Sequence, residues 1–176
     1  MKKFVLGVVY ALIALVVVFM GGAYVLPGEA VVERRITIAA PADKVFAIAS
    51  DLKRFKEFSP WAEIDPGLHY TFEGPETGIG QKMSWTSDNP QLGSGSQTVV
   101  DYQPNKRFAT TLDFGGMGEA IAYLDFVPMG NETRVTWGFK TLLHNALERW
   151  MGLLYDRTFG PDNEKGLAKL KALAEK

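Results

Sequence analysis

The sequence predicts an α+β protein: one strongly curved antiparallel sheet of seven strands and a long C-terminal helix, preceded by one transmembrane helix. Three observations predict it. Residues 4–26 carry no charged side chain. Seven later stretches alternate apolar and polar residues between short turns rich in glycine, proline and asparagine. Beyond the last of them apolar residues recur at three and four, the helical spacing.

The uncharged run FVLGVVYALIALVVVFMGGAYVL extends from Phe4 to Leu26. At ~1.5 Å per residue it reaches about 35 Å as a helix, enough for a hydrocarbon core of about 30 Å. No face of it is polar, which excludes an amphipathic surface helix. Pro27-Gly28 ends it, so the expected division is an anchor over 1–28 and a soluble domain over 29–176. A cleaved signal peptide is the rival reading, with Gly21-Gly22-Ala23 as the small residues at the cut. The apolar stretch up to Met20 is longer than the usual core of such peptides, about 7–15 residues. Lys2 and Lys3 before the segment favour a cytoplasmic amino terminus, hence a single-pass protein with an extracytoplasmic domain. Arg34, Arg35 and Lys44 follow on the other side and weaken that count.

Val32, Ile36 and Ile38 alternate with Glu33, Arg35 and Thr37, a strand over residues 29–40. Ala40-Pro41-Ala42-Asp43 opens a helix holding Val45, Phe46 and Ile48. Ser50-Asp51 caps a second short helix with Leu52, Phe55 and Phe58 on one stripe, and Ser59-Pro60-Trp61 ends it. Strands follow around Tyr70 and Phe72, around Met83 and Trp85, and through Thr98, Val100 and Tyr102. The last three run through Phe108, Leu112 and Phe114, through Ala122, Leu124 and Phe126, and through Val135, Trp137 and Phe139. The turns between them fall at Gly74-Pro75, Asn89-Pro90, Pro104-Asn105, Gly115-Gly116 with Gly118, and Gly130-Asn131. Leu143, Leu147, Trp150, Met151 and Leu154 then form a broad helical stripe. Gly160-Pro161 is expected to interrupt this helix, with Asp162 capping a fresh start that carries Leu167, Leu170 and Leu173.

Composition excludes several kinds of chemistry. The 176 residues carry a net charge of −1 and no clustered basic surface, so no nucleic acid partner is expected. There is no cysteine, and His69 and His144 are the only histidines, so neither a thiolate nor a histidine-rich metal site is expected. No cofactor motif is present: Gly78-Ile79-Gly80 leads into a strand and lacks the third glycine of a dinucleotide loop. Ser59 lacks the frame of a nucleophile elbow. His69, Glu73 and Asp101 have the parity of solvent-facing groups, and His144 reads as a surface or capping residue. The Asn131-Glu132-Thr133 sequon sits in a tight turn. No catalytic residue and no metal ligand is assigned.

The stretch Ile36–Phe46, then Asp51-Leu52 and Ser59-Pro60-Trp61, resembles the opening of polyketide cyclase/dehydrase and lipid-transport proteins, the START-like (SRPBCC) superfamily. Gly78-Ile79-Gly80 followed by Trp85, the run Thr133–Trp137 and the ending Phe159–Leu167 with Leu170 extend the likeness over about residues 30–175. The resemblance implies a helix-grip fold: a curved sheet wrapped around a long C-terminal helix, with an apolar cavity between them. Members of that superfamily bind apolar ligands in the cavity and a minority are cyclases or dehydratases; the function expected here is binding of a hydrophobic small molecule, a lipid or an isoprenoid- or polyketide-like compound, without chemistry. Tyr70, Trp85, Tyr102, Phe114, Trp137, Phe139, Trp150 and Leu154 are the expected lining, and Arg34 is placed to meet an anionic head at the mouth or to snorkel beside the membrane. A filled core serving as a membrane-tethered interaction module, and a cyclase or dehydratase acting on a membrane-soluble substrate, are the alternatives.

Overall fold

A computed structural model describes residues 1–65, 67–115 and 118–176. Gly116 of the expected Gly115–Gly118 turn lies outside the described residues. Helix α1 (Lys2–Val25) meets the length and apolar composition of a membrane span, a test that a signal sequence near the N-terminus also passes. It is followed by β1 (Glu29–Ile38), α2 (Ala42–Ala49), a 3₁₀ turn over Leu52–Arg54, α3 (Phe55–Phe58) and a second 3₁₀ turn over Trp61–Glu63. Six strands come next: β2 (His69–Glu73), β3 (Lys82–Thr86), β4 (Ser94–Gln103), β5 (Arg107–Asp113), β6 (Glu119–Met129) and β7 (Glu132–Leu142). Helices α4 (Ala146–Gly152) and α5 (Tyr155–Ala174) complete the chain.

The strands form one antiparallel sheet in the order β1-β7-β6-β5-β4-β3-β2. Hairpins join β2 through β7 in sequence, while β1 returns to pair with β7 along its whole length, from Glu29 opposite Leu142 to Ile38 opposite Thr133. Helices α2 and α3 bridge the two edge strands, and α5 lies across the concave face beside β1. This is the α+β helix-grip architecture expected from the sequence. The core between helices and sheet holds Ile38, Val45, Leu52, Phe58, Leu167 and Leu170, each almost wholly buried. Phe46 sets its ring edge-on to Tyr102 and Phe126, at 5.1 and 5.3 Å between centroids. Asp51 caps the turn as its position suggested, its Oδ1 accepting from the Lys53 backbone at 2.9 Å.

The structure departs from the sequence reading in three places. A bulge between Val99 and Asp101 shifts the β4–β5 register. One extra residue reverses the facing of the strand, so Gln97 and Val99 turn inward before it, Tyr102 turns inward after it, and Val100 is left outside. The terminal helix does not break at Gly160-Pro161. It is continuous from Tyr155 to Ala174 with Pro161 and Asp162 inside, and the break falls at Leu153-Leu154 instead. The stripe of Leu147, Trp150, Met151 and Leu154 does not pack on the sheet: all four side chains are exposed, and of the expected set only Leu143 is buried.

Candidate ligand-binding cavity

Curving the sheet over α5 leaves space that side chains do not fill. A cavity of about 330 Å³ lies between α3, α5 and the inward faces of β2 through β7. That is the lower end of the range for small-molecule pockets, about 300–1,000 Å³. Its wall is mostly aromatic and aliphatic because strand parity sends Tyr70, Met83, Trp85, Phe108, Leu112 and Trp137 to the same face. The loop Pro90–Gly93 lies over one end, where Leu92 accepts a hydrogen bond through its carbonyl from Trp85 Nε1 at 3.3 Å.

Five of the aromatics expected on the wall stand there: Tyr70, Trp85, Phe114, Trp137 and Phe139. Tyr102 is turned inward after the β4 bulge and packs on Phe46 and Phe108, but it is not one of the lining residues. Trp150 and Leu154 are outside it altogether, since α4 leaves the sheet before α5 begins. Arg34 does not reach the cavity. Its Nε donates to Glu164 at 2.7 Å and its Nη1 to Asp156 at 2.8 Å, tying β1 to α5. The guanidinium beside Asp156 holds that carboxyl below its usual range. Gly160 is the seat of this contact: a β-carbon there would overlap the Arg34 guanidinium.

Sequence reasoning missed Phe55, Trp61, Gln97, Thr110, Phe159 and Asn163, all of which line the cavity. Phe55 and Trp61 form an aromatic group with Trp137, at 6.3 and 6.2 Å between centroids. Phe159 stacks on Phe139 at 4.8 Å and separates the cavity from a smaller recess of about 220 Å³ between β6, β7 and the start of α5.

The polar groups on the wall are few. Gln97 and Thr110 are buried and face one another, Thr110 Oγ1 donating to Gln97 Oε1 at 3.4 Å. Asn163 and Ser59 differ. Both are buried on the wall, yet Asn163 Nδ2 and Ser59 Oγ have no hydrogen-bond partner. Buried polar atoms are nearly always paired, and an orphan costs about 1–3 kcal/mol. Both residues border the cavity, so an occupant that reaches them can supply the missing partners. Among the described lining residues there is no carboxylate, histidine, lysine or arginine. Burial pushes the Tyr70 phenol above its ordinary pKa, so it stays neutral.

A family model described as polyketide cyclase / dehydrase and lipid transport matches residues 29–175. The chain belongs to this family. Solved structures of the same fold include norcoclaurine synthase from Thalictrum flavum with dopamine and hydroxybenzaldehyde, 15% identical with a TM-score of 0.62, covering 82% of this chain and 86% of that one. The di-domain aromatase/cyclase StfQ of the steffimycin pathway is 14% identical with a TM-score of 0.62, over 84% of this chain and 51% of that one. A Thermobifida fusca protein is 17% identical with a TM-score of 0.63, over 82% and 92%. At these identities the likeness establishes the helix-grip fold of this polyketide cyclase/dehydrase and lipid-transport family member, and not its ligand. No curated protein sequence is significantly similar to the chain.

Proposed function

We propose that this protein is a membrane-anchored carrier or sensor that holds a hydrophobic small molecule in the 330 Å³ cavity without transforming it. The observation that carries the reading is the wall itself: an apolar, aromatic surface bordered by Asn163 and Ser59, whose buried Nδ2 and Oγ lack partners. A suitable ligand is apolar over most of its surface and carries one accepting group, a carbonyl or an ether oxygen, for the Asn163 amide. Isoprenoid- and polyketide-like compounds and small lipids have that form. General acid–base catalysis needs a titratable group within reach of the substrate, and the titratable residues on the described wall are two tyrosines, Tyr70 and Tyr123, whose phenols burial holds above their ordinary pKa. That supports binding over a cyclase or dehydratase role. A cavity of this size argues against a filled core serving only as an interaction module.

In this reading helix α1 spans the membrane and is retained, with Lys2 and Lys3 on the cytoplasmic side and residues 29–176 outside. Its uncharged length, in excess of a signal-peptide core, supports that. The anchor keeps the cavity beside the phase in which such ligands dissolve.

The test is saturable uptake of an uncharged naphthalene fluorophore by the detergent-solubilised protein, read by quenching of tryptophan emission. Trp61, Trp85 and Trp137 stand on the wall and should report stoichiometric binding. Linear, non-saturating partition indistinguishable from that of empty detergent micelles would contradict the reading.

A further inference from the structure

The apolar stripe expected on the C-terminal helix, with Trp150 and Leu154 on the cavity wall, is exposed. Leu147, Trp150 and Met151 share one face of α4 at i, i+3 and i+4, and Leu153 and Leu154 in the turn before α5 continue the exposed apolar surface. Stripes of this kind on a soluble protein are covered by something. Helix α4 is well made rather than frayed: Asn145 Oδ1 accepts from the Glu148 backbone at 2.9 Å, and the Glu148 carboxylate reaches back to the His144 N–H.

The position of α4 relative to α1 identifies the cover. Trp150 stacks on Phe19, 5.9 Å between centroids, and its Nε1 donates to the Phe19 carbonyl at 3.1 Å. Gly22 makes the approach feasible, because a β-carbon there would lie 2.7 Å from the Trp150 ring. Arg149 donates from Nη1 to the Ala23 carbonyl at 3.1 Å, satisfying one of the four orphan carbonyls at the end of α1 with a cation suited to that end of the helix. Phe19 precedes the last residue of α1 by six, or about 9 Å of helix, so the Trp150 ring lies alongside the span and not beyond it. A tryptophan and an arginine at that depth are typical of the boundary between acyl chains and headgroups.

We infer that α4 is an interfacial membrane helix whose Leu147–Leu154 face is embedded in the acyl–headgroup boundary next to α1. This rests on the reading that α1 spans the bilayer. Because Leu154 is joined directly to Tyr155, which lines the smaller recess behind Phe159, the docked α4 brings that recess to the lipid surface. The domain would then be held in one orientation by two contacts with the membrane, a span and a surface helix, and not tumble on a flexible tether.

The chain has no cysteine, so single spin labels can be introduced without background. Labels at Leu147→Cys, Met151→Cys and Leu154→Cys would be compared, in the full chain reconstituted into phosphatidylcholine bilayers, with Ile79→Cys on the exposed β2–β3 turn and Ile13→Cys in α1. Power saturation reads the relative access of oxygen and a water-soluble nickel chelate. The expected result is a several-fold preference for oxygen at the three α4 sites and at Ile13→Cys, with the reverse at Ile79→Cys. Nickel access at the α4 sites equal to that at Ile79→Cys, with Ile13→Cys still favouring oxygen, overturns the inference alone. Nickel access at Ile13→Cys as well would refute the span, and the inference with it.

Discussion

Replacing Asn163 by leucine should make the empty protein more stable and its ligand binding weaker. Asn163 is 2% exposed and its Nδ2 has no partner, so the empty fold carries the desolvation of that donor uncompensated. Leucine has the same branching and number of heavy atoms and no polar atom, and its bulkier methyl groups have the adjoining cavity to enter. Removing the orphan should return about 2 kcal/mol, within the usual 1–3 kcal/mol for such a group. For a domain of this size that corresponds to a rise of about 4–8 °C in Tm, read by near-ultraviolet circular dichroism, to which the helical backbone of α1 does not contribute. Binding should move the other way. With 2-acetylnaphthalene and 2-ethylnaphthalene as matched probes, the wild-type protein should prefer the ketone, whose oxygen the Asn163 amide can satisfy. A ketone oxygen buried opposite leucine loses about 1–3 kcal/mol, a weakening of about 5- to 150-fold, while the hydrocarbon should bind at least as well as before. A variant that unfolds at lower temperature, or one that keeps the ketone preference, would refute the assignment of Asn163 as a group that awaits a ligand.

Further expectations concern the outer face and the α5 contact. Tyr123 donates from its phenol to Glu33 at 2.6 Å, and burial together with that bond pushes its pKa up to about 12. Since a free phenol ionises near 10, the pair should contribute fully below about pH 10 and lose its contribution as pH rises toward 12. The matching signature is a late-titrating tyrosine in a 295 nm titration that is lost in Tyr123→Phe while the late titration of Tyr70 remains. On the acid side, the Tyr123 hydrogen bond lowers the Glu33 pKa, so its share of stability is complete above the ordinary glutamate range and lost as pH falls through the folded value. Gly160→Ala should expel Arg34 from between Asp156 and Glu164 and return the Asp156 carboxyl toward its ordinary pKa, as followed by NMR. Adding Gly160→Ala to Arg34→Met should then change amide exchange in the first turns of α5 no further than Arg34→Met alone.

The fold was legible because its signals are local and repeated. Period-two alternation and turn residues placed all seven strands, and an uncharged run that long has few readings. The errors have identifiable physical origins. A bulge leaves no mark in a stretch such as Thr98-Val99-Val100-Asp101, yet it decides whether Gln97 or Thr98 faces inward. Proline tolerates a helical interior when tertiary contacts hold the flanking turns, and here Arg34 clasps Asp156 and Glu164 on either side of Pro161. The stripe at Leu147–Leu154 looks the same whether sheet or lipid covers it, so periodicity alone could not assign its cover. Asn163 was recoverable: with Phe159, Leu167, Leu170 and Ala174 it falls on one helical face, and a lone amide within an apolar stripe marks either a buried pair or a ligand contact. Phe55 was legible as part of the Leu52–Phe58 stripe but not as a cavity residue, and Ser59 and Trp61 lie in short irregular turns whose orientation no sequence period records.

Binding of an apolar molecule in the helix-grip cavity is the central claim, and organic extraction of the purified full-length protein followed by mass spectrometry tests it most directly. The account predicts one small apolar compound with an accepting oxygen, stoichiometric with the wild-type chain and depleted about tenfold from Asn163→Leu under the same purification. An extract that matches detergent blanks for both proteins, from a chain that also takes up no naphthalene probe, would contradict it.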